Sequence, residues 1–83
     1  MSSDNIEKYK NCFVESLEIE KNIVNEKLEY NSIPEWDSIG HMALISSLEE
    51  IFNISMETDD IIDFSSFLKG KDILIEKYSI KFN

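Results

Sequence analysis

The chain has 83 residues, 42% of them apolar, with 17 acidic against 8 basic side chains and a formal net charge of -9. That length makes one domain with a thin core, and the charge excludes a nucleic-acid interface, which needs a basic face to displace counterions, while suiting encounter with basic protein surfaces. Two glycines and one proline are too few turn-formers for a multi-hairpin β fold, no stretch approaches the roughly 20 apolar residues of a membrane span, and Met1-Ser2-Ser3-Asp4 has no basic segment leading into an apolar run, so no leader is expected.

Asp4, with Glu7 three residues on, reads as a capping pair. Ile6, Tyr9, Phe13 and Leu17 fall on one helical face, which predicts a first helix from Asp4 to about Glu18. Glu7, Lys8, Lys10 and Glu15 form its solvated face. Cys12 lies at the edge of the apolar stripe and reads as a packing residue rather than a reactive thiol. As the only cysteine it allows no internal disulfide, and a reducing cytoplasm is the expected setting. Residues 19–37 read as a long loop anchored by Ile19, Ile23, Val24, Leu28, Tyr30 and Ile33. A short extra helix near Glu20–Leu28 is compatible with that loop.

Pro34 lacks an N–H and biases Ile33 away from helical geometry, so Ser32-Ile33-Pro34 marks the loop side of a boundary. Beyond it Ile39, Met42, Leu44, Ile45, Leu48, Ile51 and Phe52 recur at helical steps, which predicts a second helix over residues 38–52. Asp37 or Ser38 is the expected N-cap and Asn53 the stop. Leu44, Ile45, Leu48 and Phe52 are expected to face the core, with Ile39, Met42, Ser46, Glu49 and Glu50 opposite. The apolar members of that second group read either as a docking surface ringed by acids or as additional core.

Thr58 is the expected cap of a short third helix over residues 59–64, with Asp59 and Asp60 in its first turn, where negative charge is favoured. Asp59, Asp60 and Asp63 lack the spacing and closing Glu of a calcium loop, so they read as a terminal charge cluster and a partner-facing patch. Ser65 or Ser66 caps a fourth helix over residues 66–78, whose apolar face is Phe67, Gly70, Leu74 and Tyr78, extended by Ile73 and Ile75. Gly70 implies a close approach, Lys77 suits the helix end, and Ile80 and Phe82 can tuck against the bundle. The predicted class is all-α: three longer helices and a short third one around a core of Leu44, Leu48, Ile62, Phe67 and Leu74.

Catalysis within the chain is not expected. His41, the single histidine, has no cysteine or second histidine at metal-ligand spacing, so no metal site is predicted. A Ser38–His41 pair could meet across a helical turn, but no oxyanion hole or glycine-rich loop accompanies it. His41 is expected to face solvent. Ser38, by contrast, stands beside unpaired amides at the positive end of a helix, a place that tolerates an attached phosphate.

Asp37-Ser38-Ile39 resembles the Asp-Ser-Leu signature of acyl carrier proteins, with Ile39 for the usual Leu. Met42-Ala43-Leu44-Ile45-Ser46-Ser47-Leu48-Glu49-Glu50-Ile51-Phe52 is similar to that family's second helix. The resemblance runs from about Asp4 to Tyr78 and is weakest between Glu18 and Ile33. It implies a four-helix carrier fold and a monomer that is not itself an enzyme. It also implies a 4′-phosphopantetheine arm on Ser38, attached by a phosphopantetheinyl transferase that uses coenzyme A, with Asp37 positioning the metal and phosphate in that complex. Ile39, Met42, Ala43, Glu49 and Glu50 would dock acyl-activating, synthase or acyltransferase enzymes through their basic patches. The family serves lipid or fatty-acid biosynthesis, but Ala43 stands where fatty-acid carriers are often acidic. With Trp36, His41 and Met42 it is closer to specialised stand-alone carriers. An aminoacyl or peptidyl carrier, and an acidic helical adaptor without any prosthetic group, are the other readings.

Overall fold

A computed structural model of the protein describes residues 4–82. The start Met1-Ser2-Ser3, on which the reading of no leader rests, and the side chain of Asp4, the expected cap, lie outside the described residues. The described chain is all-α with four helices: α1 Asp4–Leu17, α2 Ser38–Phe52, α3 Thr58–Asp63 and α4 Phe67–Tyr78. None of them is long and apolar enough to cross a membrane.

The core is aromatic at its centre. Tyr9 and Phe13 of α1 meet Phe67 of α4 with ring centroids 4.8 and 5.4 Å apart, and Phe13 meets Trp36 edge-on at 5.3 Å. Leu44, Ile45 and Leu48 bring α2 into the same cluster, and Ile73 and Leu74 bring in α4. The Tyr9 hydroxyl donates to the Phe67 carbonyl at 2.6 Å, so its one polar atom is satisfied inside the core, and burial pushes its ionisation well above the usual tyrosine range.

α1 stops where Glu18 takes a left-handed conformation, φ 56°. The long connection that follows holds a single 3₁₀ turn, Lys21–Ile23, in place of a longer extra helix. Ile19, Val24 and Leu28 are buried, whereas Ile23 and Tyr30 stay over a third exposed. Backbone pairing also secures the loop: Tyr30 N–H donates to the Ser65 carbonyl and Phe67 N–H to the Leu28 carbonyl, both at 2.9 Å.

Several expectations are corrected. α3 begins after Glu57, which occupies the cap position without a side-chain bond, rather than after Thr58. Its inward residues are Asp60 and Ile61; Ile62, expected in the core, is 72% exposed. Six residues are too few for a helical stripe to reveal its face. Phe64, just beyond α3, fills the core instead, and Ser66 caps α4 through a bond from the Lys69 amide. Ile75, expected on the apolar face of α4, is exposed, whereas Phe52, half-buried, packs against the core as expected. The close approach at Gly70 is made by a side chain: a Cβ there would overlap the Phe64 ring. Asp60, read as part of a partner-facing patch, turns inward to Tyr78 and Lys77. Ile80 and Phe82 do return to the bundle, Phe82 packing on Tyr9 and Phe52.

Candidate functional site

The joint between the long loop and α2 gathers the notable side chains. Asp37 is extended, as an N-cap must be, and its Oδ1 accepts the Gly40 amide at 2.8 Å. Its carbonyl accepts the His41 amide at 2.7 Å, the first bond of the helix. Ser38 is the first helical residue and is exposed. Among the described residues its hydroxyl has no hydrogen-bond partner, and neither its amide nor that of Ile39 has an acceptor. These are the orphan donors of a 15-residue helix, at its positive end.

Gly40 makes this joint possible. A Cβ at Gly40 would overlap the Glu35 carbonyl oxygen and press a Leu17 methyl at 2.9 Å. The loop can thus cross over the first turn of α2 and bring Asp37 into capping position. The sequence reading missed Gly40, although a glycine three residues after an Asp cap is a visible signal for such a crossing.

Trp36 and His41 are the second surprise. Trp36 is 0% exposed, and its indole N–H donates to His41 Nδ1 at 2.9 Å. An indole N–H only donates, so Nδ1 must accept and Nε2 carries the proton. Nε2 donates to the Ile61 carbonyl of α3, also at 2.9 Å. His41 therefore does not face solvent as expected. Both its nitrogens are spent joining the loop, α2 and α3, and neither remains for Ser38, which removes the Ser38–His41 dyad.

A groove of about 340 Å³ opens beside Ser38. Its walls include Tyr30, Met42, Ile61 and Ile62, with His41 and Phe64 at its base. Of its lining, Met42 at 53% and Ile62 at 72% stand exposed; Ile39, 80% exposed, follows Ser38 on the first turn of α2. On the docking side, Ala43 is exposed, and its carbonyl accepts the Ser16 hydroxyl at 3.2 Å. Glu50 is exposed. Glu49 is not a free surface charge: its carboxylate accepts the Met56 amide at 2.8 Å and ties down the chain leaving α2. Among the described residues no group of three or more His, Cys, Asp or Glu side chains is placed to hold a metal ion. No family model, no curated protein and no solved structure matches this chain.

Proposed function

We propose that this chain is a carrier domain of the acyl-carrier type, with Ser38 as the attachment point of 4′-phosphopantetheine. One observation carries the reading: a serine hydroxyl, exposed and unbonded among the described residues, at the first position of a long helix and in the lining of an apolar groove. The residues fit such a group. The free amides of Ser38 and Ile39 suit a phosphodiester at the helix start. The groove gives the arm a nearby apolar surface.

When bound, the group supplies a terminal thiol that holds an acyl or aminoacyl cargo as a thioester. The chain's own residues present and orient. Asp37 fixes the geometry of the first turn through Oδ1, and its second carboxylate oxygen, without a hydrogen-bond partner among the described residues, would serve a divalent ion in the transferase complex. Ile39, Met42 and Ile62 form the apolar part of a docking face, with Glu50 on the same helix to steer basic partners.

The same exposed trio favours a second reading, an adaptor that takes a partner's apolar side chain in the groove and carries no prosthetic group. Intact mass after incubation with coenzyme A, magnesium and a promiscuous phosphopantetheinyl transferase separates the two. A carrier gains the mass of one arm, and Ser38→Ala abolishes the gain. An adaptor gains nothing.

A further inference from the structure

The groove beside Ser38 has a closed base. His41 lies there with both ring nitrogens bonded, to Trp36 on one side and to the Ile61 carbonyl on the other. Around it the rings of Tyr30, Trp36 and Phe64 stand 5.3, 6.1 and 5.9 Å from the imidazole centroid. His41 and Phe64 line the groove, while Trp36, fully buried and stacked on the imidazole, belongs to the core cluster. In that same packed cluster Phe13, Leu44, Leu48 and Leu74 are all fully buried. Packed interiors resist insertion, because added volume forces side chains out of their rotamers. The groove itself, about 340 Å³, lies at the small end of the roughly 300–1,000 Å³ range of ligand sites.

We propose that the Trp36–His41–Ile61 relay is a specificity element that closes the core to cargo, so that this carrier shelters only a short acyl group, seated in the surface groove. The proposal rests on the carrier reading. His41 and Trp36 act through the shape of the groove base and not by touching the thioester. A short chain contacts Met42, Ile61 and Ile62. A long chain fills the same space and leaves its distal carbons in solvent.

The test loads Ser38 from butyryl- and octanoyl-coenzyme A with a promiscuous phosphopantetheinyl transferase, verifies the product by intact mass, and records methyl and indole NMR shifts. Both acyl forms should shift Met42, Ile61 and Ile62 and leave Leu44, Leu48 and the Trp36 indole N–H at their unacylated positions. In His41→Ala, octanoyl should shift Leu44 and Leu48. Trp36→Phe, which removes the N–H that holds the imidazole but keeps aromatic bulk, should behave the same way if His41→Ala does not fold. Octanoyl shifts at Leu44, Leu48 and the Trp36 indole in the unmutated chain overturn the proposal and leave the carrier reading standing. A core that stays unshifted in the folded variant overturns the role of the relay. Absence of any mass gain overturns the carrier reading, and this proposal with it.

Discussion

The fully buried Trp36 indole donates to Nδ1 of the half-buried His41 at 2.9 Å. The bond joins the end of the long loop to the first turn of α2, and His41 passes the connection to α3 through the Ile61 carbonyl. A buried donor that loses its partner keeps the full cost of desolvation, about 1–3 kcal/mol. His41→Ala should therefore destabilise the fold by about that amount, which in a domain of this size lowers Tm by about 4–8 °C per kcal/mol. Trp36 is the only tryptophan, so its fluorescence in a urea titration reads the loss directly. An unchanged midpoint would mean that the relay contributes nothing to stability.

The two glycines invert the usual rule. Gly to Ala within a helix ordinarily stabilises by up to about 1 kcal/mol. Here a methyl at Gly40 meets the Glu35 carbonyl, and one at Gly70 meets the buried Phe64 ring. Neither neighbour is the loose end of a flexible side chain. Gly40→Ala and Gly70→Ala should each destabilise by about 1–3 kcal/mol in denaturant titrations. Gly40→Ala should also displace the Asp37 cap and slow the loading of Ser38, whereas Gly70→Ala should not.

Much of this frame can be read from residue spacing, and what cannot has physical causes. Ile6, Tyr9, Phe13 and Leu17 declare α1 because four turns of a stripe repeat. Leu44, Ile45 and Leu48 do the same for α2, and Asp37 and Ser66 mark starts through side chains that can cap. α3 is one and a half turns long, so nothing in it distinguishes inward Ile61 from outward Ile62. Trp36, Gly40 and His41 sit near one another in sequence, but two of their partners come from elsewhere: Ile61 is supplied by α3 and Leu17 by α1. Contacts between elements leave no periodic trace, so the exposed Ser38 was legible while the base of its groove was not.

Asp37 has a structural duty and a proposed chemical one, and two substitutions separate them. Asp37→Ala removes the acceptor of the Gly40 amide and should cost about 0.5–2 kcal/mol. Asp37→Asn keeps an N-cap oxygen and should hold stability within a few tenths of a kcal/mol. If the carboxylate helps hold a divalent ion during loading, Asp37→Asn should lower the loading rate by tenfold or more at unchanged stability, about 1.4 kcal/mol in the barrier. Equal loading by Asp37→Asn and the unmutated chain would confine Asp37 to capping.

Asp60 should make part of the stability depend on pH. Its carboxylate accepts the Tyr78 hydroxyl at 2.6 Å and lies 3.3 Å from the Lys77 ammonium. The Tyr78 bond, aided by Lys77 against the opposing effect of burial, holds the Asp60 carboxyl below its usual range. A lowered folded pKa means the unfolded chain takes up the proton first as acid is added. The contribution is thus complete above the unfolded value, near 4, and is lost as pH falls through it toward the lower folded value. The stability difference between the unmutated chain and Asp60→Asn should stay constant from neutral pH to about 5 and shrink below about 4. Urea midpoints across that range measure it, and a gap that does not narrow in acid would remove Asp60 from the acid response.

Glu49 and Glu50 are neighbours in sequence with different tasks. The Glu49 carboxylate holds the Met56 amide, and bonds to a charged group contribute about 1.5–3 kcal/mol. Glu49→Lys should therefore destabilise the turn after α2, where Asn53 is left-handed at φ 55° and Ile54 N–H returns to the Glu49 carbonyl. Glu50 is exposed, and charge reversal at such a site usually moves stability by less than about 0.5 kcal/mol. Its effect belongs to encounter: Glu50→Lys should slow arm loading at low salt, and the difference should fade as salt screens the charge. Loading kinetics at two ionic strengths, beside urea midpoints for both variants, separate the roles. If Glu50→Lys loads at the unmutated rate in low salt, the acidic end of α2 is not the face that partners approach.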